Sequence, residues 1–349
     1  MTVVGRPTLD VSLWGGQNRG VVPNAPTLAM KVQRPVVPPR IASARDLFLG
    51  AYPKFAPVCR AFDEPGLAVI AVDEATGRPA GIVKLCARVQ RPVSAIVGRH
   101  DRCDLYLSDR EQLSLRQLAV VVDPVLSWQR GATAIKYRVF DLRTNQPMVD
   151  EDGRPLRGIA AEGPAILRCA GYVLFMLVLG DPSDWPADAA DAWSMLPERV
   201  YLDELANCAS GSLPKIRRPR IDVRETYITR TNGPRDTGMR LATGDIVGTL
   251  EIYTPHRQLS ISVGADALND GVLLGRYGRC DLMEAAAEDH SLSRVHALLM
   301  KLDDRLLLID TASSNGTFEA GERARVVVVE NKTELRLGKK TFLRWRWSK

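Results

Sequence analysis

Four short elements occur in order toward the C-terminal end of the chain: Gly275-Arg276, Ser293-Arg294-Val295-His296, Asp310 and Ser314-Asn315-Gly316-Thr317. Their residue types suit recognition of a phosphate monoester, which carries about −1.5 to −2 charges and three strong acceptor oxygens. Arg276 supplies a planar cation able to bond two of those oxygens at once. Ser293 supplies a short hydroxyl donor, and Arg294 adds charge beside it. Asn315, with both a donor and an acceptor, suits the backbone of an extended peptide. Gly275 and His296 read as structural, the histidine as a residue that bonds a loop, and Gly316 and Thr317 as the turn that presents Asn315. The chain has no G-x-x-x-x-G-K-[ST] loop, no H-E-x-x-H and no G-x-S-x-G elbow. Its cysteines, Cys59, Cys86, Cys103, Cys169, Cys208 and Cys280, are scattered without a C-x-x-C pair. No enzyme, metal or cofactor is therefore expected.

The order of these elements resembles the forkhead-associated (FHA) domain, a phosphothreonine-binding β-sandwich. The resemblance is strong over residues 245–348 and weakened over 60–180. It implies that Arg276, Ser293, Arg294 and Ser314 surround the phosphothreonine while Asn315 holds the peptide backbone, with Gly275, His296, Gly316 and Thr317 as scaffold. It implies a preference for phosphothreonine over phosphoserine through a niche for the methyl group. One buried methyl is worth only about 0.8 kcal/mol, so shape must add to it. Residues Glu288 to Leu292 fall in the loop that partly sets peptide preference in the family. The partner implied is a phosphothreonine-containing protein, with a Ser/Thr kinase upstream. A structural assembly role using phosphate-independent contacts is the alternative.

The element that positions this constellation is repeated. Residues 98–105, GRHDRCDL, and 275–282, GRYGRCDL, are identical at six of eight positions and lie 177 residues apart. Collinear matches follow at 115–119 against 293–297 and at 137–141 against 306–310, so two copies of one domain are expected. In this alignment Arg99 matches Arg276 and Arg116 matches Arg294, while Leu115 replaces Ser293 and Leu118 replaces His296. Thr144-Asn145-Gln146-Pro147 stands approximately where Ser314-Asn315-Gly316-Thr317 stands. Moving the gap by one residue would restore Ser114 to the serine position but take Arg116 out of register. On the first alignment, the N-terminal copy keeps its framework, loses its phosphate pocket and serves as a scaffold or docking module.

Both copies read as all-β. In the second, short aliphatic runs at 248–253, 258–263, 272–276, 295–302, 305–310, 325–330 and 340–347 are punctuated by Gly, Asn and Asp. Leu343, Trp345 and Trp347 alternate with Arg344 and Arg346, the period of a half-buried strand. The apolar stretch Cys169 to Leu179 is too short to span a bilayer and reads as a buried strand.

The expected organisation is a flexible Pro/Gly-rich arm over 1–45, a degenerate FHA-like sandwich over 46–181, a linker over 182–244 and an FHA domain over 245–349. A short helix between Pro186 and Pro197 and the basic segment Lys215–Arg220 fall in the linker. Thr8 and Thr27, in the arm, are candidate phosphorylation sites that could occupy the pocket. The chain has 349 residues with a net charge of +6, 45% hydrophobic and 25% charged, which excludes wholesale disorder and a disulfide scaffold. So mild a positive balance gives no reason to expect nucleic-acid binding. Met1 to Asp10 show no basic segment followed by an apolar core, so no secretory signal and a cytoplasmic setting with reduced thiols are expected.

Overall fold

The runs of aliphatic residues build four β-sheets, arranged as two sandwiches, in a computed structural model that describes residues 42–127, 134–203, 225–234, 241–283, 289–331 and 333–348. Thr8, Thr27, Glu288, the basic segment 215–220 and the arm up to residue 41 lie outside the described residues.

In the second sandwich one sheet has the order Gln258–Gly264, Ile246–Tyr253, Thr341–Trp347, Glu334–Leu337, Thr317–Glu319, Glu322–Ala324. The facing sheet has the order Val272–Leu274, Ala297–Leu302, Arg305–Asp310, Val326–Val329. Leu343 and Trp345 are fully buried between the sheets while Phe342 and Arg346 face outward, as their alternation requires. Gly248 lies opposite, where a Cβ would stand 2.3 Å from the Trp345 ring.

The first sandwich repeats this plan with additions. One sheet runs Pro79–Cys86, Gly66–Asp73, Tyr172–Leu179, Ala165–Cys169, Met148–Val149, Pro155–Leu156. The other begins with Gly158–Glu162, Lys136–Asp141, Leu118–Val122, Val93–Gly98 and Leu105–Tyr106. Two further strands, Glu198–Asp203 and Glu225–Thr231, extend it by pairing with each other in parallel and onto Gly158–Glu162 antiparallel. Both fall in the span expected as a linker, whose described parts are thus largely built into the first sandwich. The short helix is present as Ala189–Met195, capped by Asp188.

The span expected to be all-β from residue 46 opens instead with a helix, Ala44–Arg60. Ser43 caps it by accepting from the Asp46 N–H, and Phe48, Tyr52, Phe55 and Cys59 bury one face. Pro53 and Pro57 lie inside it, the residues that ordinarily argue against a helix interior. It packs with Ala189–Met195 on the outer face of the first sheet, over Ile70, Val72, Phe175 and Leu177.

The central strands are apolar on both faces because both faces are covered. In Ala297–Leu302, Leu299 points into the second sandwich's core while Leu298, Met300 and Leu302 point away from it. In Leu118–Val122, Val120 points inward while Ala119 and Val121 point away. The outward sets meet: Ile96, Ala119, Val121 and Phe140 of one sandwich pack with Leu273, Leu298, Met300, Leu307 and Ile309 of the other in a single buried cluster. Residues 41–349 are accordingly one compact unit.

Arginines close the rim of this interface. Arg116 donates to the carbonyls of Thr311 (2.6 Å) and Ala312 (2.7 Å), and Arg138 to Lys301 O (2.9 Å). Arg305 donates to Gln90 O (2.7 Å), and Arg325 pairs with Asp104 (2.5 Å). Arg143 forms a two-pronged ion pair with Asp281 (2.6 and 2.7 Å) with both side chains almost wholly buried. Removing one member of a buried pair leaves the other charge uncompensated, at about 3–5 kcal/mol. Asp281→Ala is therefore expected to lower the unfolding free energy by that order while the exposed pair partner substitution Glu334→Ala lowers it by less than about 1 kcal/mol; equal effects in chemical denaturation would contradict the assignment.

Candidate functional site

The site begins where the strand Val272–Leu274 ends. Gly275 passes so close to the neighbouring loop that a Cβ would stand 2.2 Å from the Arg294 carbonyl oxygen. That approach lets the Arg276 N–H donate to Ser293 O (3.1 Å) and the Tyr277 N–H to Arg294 O (2.9 Å). The Arg276 side chain is half-buried, and its Nε donates to Leu292 O at 2.6 Å. The stem is thereby fixed, and the two terminal nitrogens have no partner among the described residues.

Ser293 is buried, and its Oγ accepts the Ser314 N–H at 2.9 Å. With one lone pair engaged, the hydroxyl proton remains to be donated. The Ser293 N–H donates to His296 Nδ1 (3.1 Å), so the other ring nitrogen carries the proton and donates to Gly316 O (3.2 Å). Burial holds the His296 pKa below its ordinary 6.5, against the opposing pull of Asp310 and the Gly316 carbonyl. The ring thus ties the serine loop to the turn, as a scaffold histidine should.

The turn is held from beneath by Asp310. One carboxylate oxygen accepts the Ser313 N–H (2.7 Å), and the other accepts the hydroxyls of Ser313 (2.6 Å) and Thr317 (2.9 Å). The Ser313 hydroxyl oxygen accepts the Gly316 N–H in turn, at φ +83° for Gly316. Ser313 was not among the residues expected from sequence, although its place three residues after Asp310 is that of an Asp-anchored turn. Ser314 and Arg294 are exposed beside Ser293, and Asn315 is half-buried. The Asn315 amide donates to Ser291 O (2.7 Å), so its donor holds the loop before Ser293 while its oxygen has no partner among the described residues. Arg102, from the first sandwich, reaches the Ser313 and Ser314 carbonyls, a contribution invisible to the local motif.

The first sandwich repeats the core of this network. Gly98 presses on Leu115 O, where a Cβ would stand 2.4 Å away, and the Arg99 N–H donates to Ser114 O (3.1 Å). Arg99 Nε donates to Leu113 O (2.6 Å), and Cys103 Sγ to Leu115 O (3.3 Å) as Cys280 Sγ does to Arg294 O (3.3 Å). The Ser114 N–H donates to Gln117 Oε1 (3.0 Å), and Gln117 Nε2 donates to Gln146 O (2.8 Å), the two bonds that His296 makes in the second sandwich. Asp141 anchors Thr144 (2.8 Å) as Asp310 anchors Ser313.

These bonds correct the register drawn from sequence. Ser114, not Leu115, stands where Ser293 stands; Leu115 corresponds to Arg294, Gln117 rather than Leu118 to His296, and Arg116 to Val295. The one-residue shift that spoiled the arginine match is the true one, because the hydrogen-bond ladder, and not the Arg-for-Arg identity, sets the pairing. Arg116 is turned into the interface, where it donates to the Thr311 and Ala312 carbonyls.

Residues 272–338 match the family model of the FHA domain. No curated protein matches the chain. Among solved structures, the FHA-1 domain of Rv1747 from Mycobacterium tuberculosis is similar at 21% identity over 30% of this chain and 99% of that one, with a TM-score of 0.24. EmbR of Mycobacterium tuberculosis, in complex with a low-affinity phosphopeptide, is similar at 19% identity over 29% of this chain and 24% of that one, with a TM-score of 0.24. The yeast Dun1 FHA domain, in complex with a doubly phosphorylated peptide, is similar at 20% identity over 32% of this chain and 82% of that one, with a TM-score of 0.25.

Because the folded state favours neutral His296, the unfolded chain binds more protons as pH falls past about 6.5, and stability is lost in that direction. Asp123 and Asp141, each pushed up to about 6 by burial, act in the opposite sense, so the readout is a difference between proteins. His296→Gln is expected to keep both bonds, as Gln117 does, and to lose less stability than the wild type between about pH 7 and pH 5. His296→Ala is expected to cost about 1–3 kcal/mol at pH 7, through the unsatisfied Ser293 N–H and Gly316 carbonyl, and less as the pH falls toward 5. Urea denaturation across that range measures all three.

Proposed function

We propose that the FHA domain at residues 272–338 reads phosphothreonine in a partner protein, and that the chain is a non-catalytic adaptor acting downstream of a Ser/Thr kinase. The observation that carries this reading is the pairing of Arg276 and Ser293. A guanidinium fixed by its Nε, with both terminal nitrogens open, lies next to a hydroxyl whose lone pair is already engaged. Donors presented in this way meet a phosphate without further ordering, which favours a planar cation over a lysine at position 276. Arg294 and Ser314 complete the surround, and the free oxygen of Asn315 takes a peptide N–H.

The first sandwich is on this reading a diverged copy fused to the second as a scaffold. Its shared core with the FHA domain favours a rigid two-part module over two beads on a linker. A cytoplasmic setting is supported by the free thiols of Cys59, Cys86, Cys103, Cys169 and Cys280. No helix among the described residues is long and apolar enough to cross a membrane.

Arg276→Ala is expected to weaken binding of a phosphothreonine peptide selected from an oriented library by roughly a hundredfold or more, since two charge-assisted bonds at about 1.5–3 kcal/mol each are lost. Arg276→Lys keeps the charge without the fork and is expected to fall between. Phosphatase treatment is expected to release the cellular partner in pull-downs; retention after dephosphorylation would favour the assembly role instead.

A further inference from the structure

The corrected register places Arg99 and Ser114 at the positions of Arg276 and Ser293, and the second sandwich supplies what that copy lacks. A cavity of about 260 Å³ opens at the seam, lined by Arg99, Ser114 and Asn145 of the first sandwich and by Tyr277, Arg279 and Arg294 of the second. Position 115, the equivalent of Arg294, is a leucine here, so the local copy has lost its second cation. Arg294 of the other sandwich lines the same cavity, with Arg279 beside it.

The charge at this seam is uncompensated. Arg99 Nε is held by Leu113 O, leaving its terminal nitrogens without a partner among the described residues. Arg294 is exposed and likewise has none, and Arg279 donates only to the Arg143 carbonyl (3.2 Å) while lying over the Tyr277 ring. Arg116, also lining the cavity, is buried with only two carbonyls as partners. Arg143 is neutralised by Asp281, and Glu111 is the one carboxylate among the lining residues. Arg99 and Arg294 are exposed and Arg279 is half-buried, and like charges gathered around one cavity attract an anion with several acceptor oxygens. The space suits a phosphate and the side chain that carries it, and Ser114 and the exposed Asn145 add uncharged polar groups.

We propose that this seam is a second phosphate-monoester site, taking a phosphorylated side chain of a partner polypeptide, with Arg99 and Ser114 from one sandwich and Arg279 and Arg294 from the other. The proposal replaces the sequence-based expectation that the first copy has lost its pocket, since Leu115 and Leu118, on which that expectation partly rested, do not stand at the serine and histidine positions. It shares Arg294 with the Arg276 site and otherwise stands apart from that reading.

The test titrates the full chain with an oriented phosphothreonine peptide library, the same library unphosphorylated, and inorganic phosphate, by calorimetry. The expected result is that Arg276→Ala retains phosphate-dependent peptide binding, which falls at least tenfold on adding Arg99→Ala or Ser114→Ala, or on adding Arg279→Ala from the other sandwich. Arg99 and Arg294 are exposed, so an unchanged denaturant midpoint in Arg99→Ala and Arg294→Ala certifies the fold. Binding abolished by Arg276→Ala alone would overturn the seam site and leave the function proposed above intact. Binding unaffected by Arg276→Ala but lost in Arg99→Ala would keep the seam site and overturn that function. Binding of inorganic phosphate that depends on Arg99, without peptide binding in the Arg276→Ala protein, would overturn the polypeptide as occupant.

Discussion

The two-sided burial of the central sheets governs the rest of this molecule. Leu298, Met300, Leu307 and Ile309 face away from their own sandwich and are fully or almost fully buried only because Val121, Phe140 and their neighbours cover them. Side chains of this kind stabilise by about 1.5–3 kcal/mol each when removed from water, so the outer face could not stand exposed on either half. Two related sheets meeting through equivalent surfaces form the intramolecular counterpart of an isologous dimer contact. The residues around it follow that logic: Arg102 reaches the turn of the second sandwich, and its equivalent, Arg279, reaches the turn region of the first.

That contact decides how the basic residues are used. The excess of positive charge is small, but much of it is gathered at one seam. Arg116, Arg138 and Arg305 end on backbone carbonyls across the interface, where a guanidinium satisfies acceptors that the sheet edges leave open. Only Arg143 and Arg325 of this group reach carboxylates. The remaining arginines, Arg99, Arg276 and Arg294, are left with unpaired nitrogens at the loop ends, where the hydrogen-bond networks below them are rigid. In both sandwiches rigidity comes from an Asp-anchored turn and an imidazole or amide tying the serine loop to that turn. His296 and Gln117 perform one task because each offers an acceptor and a donor at a similar separation.

Much of this was legible from residue pattern. The Gly-Arg, Ser-x-x-His and Asn-Gly elements lie together around Ser293, and each of the seven aliphatic runs became a strand of the second sandwich, while Thr317–Glu319, Glu322–Ala324 and Glu334–Leu337 were not announced by one. The continuous apolar runs at 297–300 and 306–309 carried a further signal, since a strand with one wet face alternates and these do not. What escaped was the helix Ala44–Arg60, hidden by two internal prolines, and the strands Glu198–Asp203, at the sheet edge, and Glu225–Thr231 beside it, both too polar to announce themselves.

The sequence by itself determined the chemistry of each half: an arginine after a glycine, a serine one loop away, and an aspartate to hold the turn. These are local requirements, met by residue type and short spacing. Only the tertiary structure decided which residue of the first half stands at each position, because identity of side chains put Arg116 at the place of Arg294 while the backbone ladder puts Leu115 there and Ser114 at the place of Ser293. It alone decided that Arg279 and Arg294 face the first half's loops. A cavity formed by residues 99 and 294 depends on how two sheets pack, and no spacing along the chain encodes that packing.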